Sequence, residues 1–174
     1  MRRTVVALTA FAATTLMGAA PASASAPAVA AAAGLGWRPA PTAPWDVAAG
    51  VRCDFAVHGE PIVDEVVQRV SQTHPDGSPK RVAYKGDLVV RVTNKDTGDF
   101  YDADASGTAV VDYRRDGSQF WSVLGPVLVG IGEGNLDRGL YIIDGVYTLD
   151  ISSSGYRTVT MAHGSVIDIC ERID

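Results

Sequence analysis

Three groups of side chains in this 174-residue chain have types and spacings that bear on chemistry. The first is a carboxylate and an imidazole near the C-terminus, Asp168 and His163. Strand alternation in Val166-Ile-Asp-Ile-Cys170 puts Asp168 on one face with Val166 and Cys170. In Arg157-Thr-Val-Thr-Met-Ala-His163 it continues the apolar face of Val159 and Met161 to His163. If Cys170 points inward, so does Asp168, and a carboxylate withdrawn from water needs hydrogen bonds or a raised pKa, the condition of a general acid or base. A turn at Gly164 would bring the two together, as in a small isomerase or hydrolase. No nucleophile joins them: Gly-x-Ser-x-Gly and Ser-x-x-Lys are both absent, and Ser152, Ser153, Ser154 and Ser165 fall in turn-like sequence. The plainer reading, which the pattern favours, leaves His163 at an exposed hairpin end and Asp168 bonded to backbone amides.

The second group is acidic. Asp99, Asp102 and Asp104 supply hard oxygen ligands, but without the glycine and distal glutamate of a calcium loop, and Glu133, Asn135 and Asp137 sit in a Gly-rich connection. His58, His74 and His163 lack zinc-ligand spacing. Solvated carboxylates are expected, with no metal and no cofactor. The third group is aromatic. Alternation turns Tyr141, Tyr147 and Leu149 inward, with Trp121 on a neighbouring strand, so these residues either fill a core or line a ligand cavity.

The elements that must position these groups are strands. Glycines punctuate the chain after Val51, mostly at spacings of about 8 to 12 residues, with β-branched and aromatic runs between them. Asp76-Gly77, Asp116-Gly117 and Asp144-Gly145 read as tight turns. The one helical candidate, Val63 to Val70, reads equally as an irregular strand. The fold expected is all-β, a single antiparallel up-and-down meander of about ten short strands closed into a barrel, with a two-sheet sandwich as the alternative. The sandwich would use the connection from Gly130 to Gly139 as a Greek-key crossing.

At the N-terminus, Arg2-Arg3, the apolar stretch Val5 to Ala20 and the small residues of Ala22-Ser-Ala-Ser-Ala26 have the layout of a secretory signal peptide over residues 1–26. At about 16 residues the apolar stretch is short for a membrane span. Residues 27–50 are Ala/Pro-rich and read as a flexible leader, with Trp45 the residue in it expected to pack; the domain proper is 51–174. The localisation expected is therefore secreted and extracellular. Two cysteines, Cys53 and Cys170, form an isolated even pair, which in an exported chain is most simply a disulfide joining the first and last strands. The net charge of −5, and −7 once Arg2 and Arg3 are removed, with no basic cluster beyond Lys80-Arg81 and Arg114-Arg115, argues against nucleic acid and anionic membrane surfaces as partners and against membrane insertion.

Three segments together carry a resemblance: Ala48-Ala-Gly-Val-Arg-Cys-Asp-Phe55, Val92-Thr-Asn-Lys-Asp-Thr-Gly98 and Val166-Ile-Asp-Ile-Cys170. The chain resembles an uncharacterised group of small secreted β-rich proteins of high-GC Gram-positive bacteria. The resemblance implies secretion and a disulfide between the two ends of the domain, and no catalytic residue. The function expected is that of a non-enzymatic binding or interaction protein with a small-molecule or protein ligand. A small enzyme using Asp168 and His163, and a structural extracellular component, are the alternatives.

Overall fold

The computed structural model describes residues 36–174; the expected signal peptide and the first residues of the leader lie outside that range. Twelve strands, all paired antiparallel, and one 3-10 turn are the regular elements: β1 (Arg38–Pro39), β2 (Trp45–Val47), β3 (Val57–Asp64), β4 (Val67–Thr73), β5 (Pro79–Lys85), β6 (Leu88–Asn94), β7 (Phe100–Asp104), β8 (Thr108–Tyr113), β9 (Gln119–Leu124), β10 (Val127–Ile131), β11 (Gly139–Ile151), β12 (Arg157–Asp168) and the turn Cys170–Arg172. The all-β expectation holds.

Many of these strands are halves of longer ones that bend. β3 runs through two residues into β4, β5 through Gly86 into β6, β7 through Gly107 into β8 and β9 through Gly125 into β10, while β11 and β12 cross the bend unbroken. Register survives each break. On β11, Leu124 of β9 faces Val146 and Val127 of β10 faces Ile143, so a single antiparallel register covers both. The β5–β8 and β6–β7 pairs likewise share one. The bent ribbons thus follow one another in chain order, and the strands number twelve against about ten expected. The Gly130 to Gly139 connection is a hairpin between β10 and β11, with Ile131 opposite Gly139, and not a Greek-key crossing.

The bend is a seam of glycines. Gly145 pairs with Gly164, the Gly125 N–H donates to the Gly145 carbonyl at 2.9 Å, and the Gly107 N–H donates to the Pro126 carbonyl at 2.7 Å. Gly145 and Gly164 have φ of +134° and +152°, and a Cβ on either would collide with the backbone carbonyl opposite, His163 or Asp144. Asp144-Gly145 is accordingly not a turn but the middle of β11, and Gly164 is the middle of β12.

On one side of the seam the ribbons form the continuous order β1-β4-β5-β8-β9-β11. On the other side β7 and β10 do not pair, and the structure splits into β2-β3-β6-β7 and the layer β10-β11-β12. No closed barrel is found among the described strands. The split makes two cores. Leu140 and Ile142 of β11 pack with Val57, Val90, Val92 and Ala103 of the four-stranded sheet. The alternate residues Tyr141 and Ile143 pack with Val111, Val123, Tyr147, Leu149 and Val159. The first five residues of β11 are therefore all buried, since this strand has a core on each face.

The disulfide joins Cys53 to Cys170 with a Cα–Cα distance of 5.4 Å. Neither cysteine is on a strand: Cys53 precedes β3 and Cys170 opens the 3-10 turn. The first and last strands are not sheet neighbours either, because β3 pairs with β2 and β6 whereas β12 pairs with β11. The bridge works between sheets. Two short segments of the expected leader pair with the domain. Arg38–Pro39 pairs with β4 and Trp45–Val47 with β3, Trp37 lies between Arg69 and Lys85 at 5.0 and 4.5 Å, and Trp45 lies over Gly59, where a Cβ would strike the indole.

Candidate functional site

Asp168 and His163 are not brought together. Both lie on β12, Asp168 opposite Tyr141 and His163 opposite Val146, five residues apart on one strand and so on the order of 16 Å along it. Asp168 is half-buried, and its carboxylate accepts the Cys170 N–H at 2.8 Å; His163 is exposed. The reason the two do not meet is the seam: Gly164 bends the strand without reversing it. Asp102 takes two hydrogen bonds from Arg91, at 2.7 and 2.8 Å, and Asp104 accepts the Ser106 N–H at 2.9 Å. Asn135 clips its loop to Val159 through both its oxygen and its nitrogen, each at 2.8 Å. Among the described residues no three His, Cys, Asp or Glu side chains gather as metal ligands would.

The aromatic group divides. Tyr141 and Tyr147 are core residues. The Tyr141 hydroxyl donates to the Asp137 carbonyl at 3.0 Å, and burial, reinforced by the charge of Asp168, raises its pKa. The Tyr147 hydroxyl is buried with no partner, and burial likewise raises its pKa. Trp121 has a different position. It lines a cleft of about 420 Å³ that opens between the bent ribbons. Tyr84, Leu88, Val90, Ala105, Ala109 and Tyr113 come to this cleft from the inner face of the β5-β6 and β7-β8 ribbons, and Trp121, Val127 and Leu128 from β9 and β10. At the seam the cleft reaches Gly86 and Gly107, and the leader residues Ala40, Thr42 and Trp45 form a further wall.

The cleft exists because β7 and β10 separate where β8 and β9 are paired, leaving a wedge that small residues, Ala105, Gly107 and Ala109, do not fill. Its polar side chains are Thr42, Lys85, the two tyrosines and the Trp121 indole. The Tyr84 and Tyr113 hydroxyls bond each other at 2.9 Å, and the Trp121 indole N–H donates to the Gln119 side chain at 2.9 Å. Burial first, and then the bond to Tyr84, raises the Tyr113 pKa, so the phenol stays protonated at neutral pH. The tyrosine pair also lines a second opening of about 470 Å³ on its other side, where His74, Arg114 and Arg115 gather.

Sequence reasoning found Trp121 and missed Tyr84 and Tyr113. Their signal was present in the alternation, since Val82 with Tyr84 and Val111 with Tyr113 share inward faces, but Tyr84 is opposite Ala109 in the β5–β8 register, and the two hydroxyls meet only because the side chains reach toward each other along the sheet. No family model matches this chain, and no match is found among curated proteins or solved structures.

Proposed function

We propose that this protein is a non-enzymatic extracellular binding protein whose ligand is a small, largely apolar molecule held in the seam cleft. The observation that carries the reading is the combination, in one space of about 420 Å³, of an apolar wall, a broad indole face and a tyrosine hydroxyl pair. Two phenols that share one hydrogen bond retain one further O–H donor for a ligand acceptor. Export on residues 1–26, and kinship with the uncharacterised secreted group, belong to the same proposal. The Cys53–Cys170 bridge and the absence, among the described residues, of a helix long and apolar enough to cross a membrane are compatible with it. We read the architecture as an up-and-down meander that starts to roll into a barrel and splits at one end into a sandwich, with the cleft at the point of splitting. The enzyme alternative loses its motivated pair, since Asp168 and His163 lie far apart on one strand.

The test uses N-phenyl-1-naphthylamine, an uncharged apolar fluorophore. The wild-type chain is expected to enhance its emission saturably at one site. Ala109→Leu, which puts three carbons into the wedge, should abolish the enhancement while leaving the circular dichroism spectrum unchanged. Absence of saturable binding to the wild type, or equal binding by the variant, refutes the cleft as a ligand site.

A further inference from the structure

The pole of the molecule beyond the tyrosine pair gathers four basic side chains, Lys80, Arg81, Arg114 and Arg115, in a chain whose net charge is −5. Two hairpin turns of similar sequence, His74-Pro-Asp-Gly-Ser78 and Arg114-Arg-Asp-Gly-Ser118, stand side by side there, tied by a hydrogen bond between His74 Nε2 and the Tyr113 carbonyl at 2.9 Å. Each turn closes in the same way: the Ser N–H and hydroxyl both bond the Asp carboxylate, Asp76 at 2.9 and 2.6 Å and Asp116 at 3.0 and 2.7 Å. Those two acids close their own turns and keep their charge. A further groove beside them, about 490 Å³, holds Lys80, Arg81, Arg114 and Arg115, with Asp112 as its lone carboxylate. Asp112 is taken up by Arg81 in a two-pronged pair at 2.6 and 2.8 Å. Arg114 reaches Asp150 at only 3.7 Å, and neither Arg115 nor Lys80 has an ion-pair partner among the described residues. The cations here with no ion pair are therefore Arg115 and Lys80, with Arg114 loosely held, and the still-charged Asp76 and Asp116 stand near them.

Tyr84 and Tyr113 line both the apolar cleft and the opening to this basic pole. We infer that the ligand is an amphipathic anion, with an apolar body in the cleft, its acidic oxygen accepting from the tyrosine pair and its charge facing Arg115 and Arg114. This rests on the cleft reading and specifies the ligand class. A phenol O–H and a guanidinium are both donors, so together they select an acceptor that carries charge over a neutral donor such as an amine or amide N–H.

The test compares 2-naphthoate with its uncharged counterpart 2-naphthalenemethanol as displacers of N-phenyl-1-naphthylamine from the full chain. The carboxylate is expected to bind about tenfold more tightly at low salt, and the advantage should shrink as salt rises. Arg115→Gln should remove most of the advantage without changing binding of the alcohol, and Tyr84→Phe should weaken both. Equal affinity of acid and alcohol for the wild type, with the fluorophore still bound, overturns the inference and leaves the cleft standing. An undiminished advantage in Arg115→Gln also overturns it. If the fluorophore itself does not bind, the cleft reading fails and this one with it.

Discussion

The two cores of this protein solve the same packing problem in different ways. The core beside the disulfide lies between two separate sheets and is built of small aliphatic side chains, Val57, Val90, Val92, Ala103, Leu140 and Ile142, capped by Ile169 and Ile173. Its one buried polar residue, Asn94, is bonded at both ends: the amide donates to the Ile173 carbonyl at 2.9 Å, and the side-chain oxygen accepts the Asp96 N–H at 2.9 Å. The aromatic core lies where one sheet bends upon itself. It contains rings with hydroxyls, one of them unpartnered, and it borders a cleft. Separate sheets can adjust their distance until small side chains meet. A bent sheet cannot, because its two halves share a backbone, and the wedge at the bend stays partly open.

Four measurements break or sharpen this contrast. The largest effect is expected from opening the bridge: the double replacement Cys53→Ala, Cys170→Ala frees a loop of 117 residues and should cost about 4 to 5 kcal/mol by loop-closure entropy, read from urea unfolding as a lower midpoint with a raised m-value, since the unfolded chain expands. Fluorophore binding by the molecules that remain folded should be unchanged, since the bridge serves the other core. Gly145→Ala comes next, at about 3 kcal/mol, because the methyl group meets the His163 carbonyl at a φ that alanine disfavours. That variant should also reshape the cleft and weaken fluorophore binding, the reverse of the bridge variant. Tyr147→Phe should raise stability by about 1 kcal/mol, because it deletes a buried hydroxyl that bonds nothing. A loss instead would mean that the hydroxyl has a partner in solution.

The smallest effect is expected from acid. Hydrogen bonds from Arg91 and Arg81 hold the Asp102 and Asp112 carboxyls below their ordinary value of 3.8. As pH falls, the unfolded chain binds protons on these groups before the folded one does. Their contribution is therefore complete above about pH 5 and is lost as pH drops through the folded values. Both are surface pairs, so the slope should be shallow, and Asp112→Asn should flatten it further in urea midpoints taken between about pH 5 and pH 2.

The part of the molecule that sequence reading describes well is the disulfide core. The segments around Cys53, Asn94 and Cys170 converge on it: Cys53 bonds Cys170, the Lys95 N–H donates to the Ala56 carbonyl at 2.9 Å, and Asn94 holds the C-terminal turn. Local chemistry marks each of them, a paired cysteine or an Asn that closes its own turn. The cleft carries no such mark. Tyr84, Ala109, Tyr113 and Trp121 belong to unremarkable strand runs, and the glycines that shape their meeting place resemble turn glycines. Asp144-Gly145 shows why: a positive φ serves a hairpin and a mid-strand bend alike, and only the partner strand distinguishes them. From that one ambiguity follows the expectation of a tight turn at Asp144-Gly145, where β11 in fact runs on unbroken.

From its sequence alone this chain determined that it is all-β, that its strands run in antiparallel succession, and that its two cysteines pair, because residue alternation, β-branching and an even cysteine count act over a few neighbours or through one bond. Tertiary structure alone decided that the ribbons bend at one glycine seam, that β7 parts from β10, and that two tyrosines 29 residues apart share a hydrogen bond at the edge of a cleft. Those outcomes depend on register between distant strands, and register is a property of pairs of strands that no single stretch of residues carries.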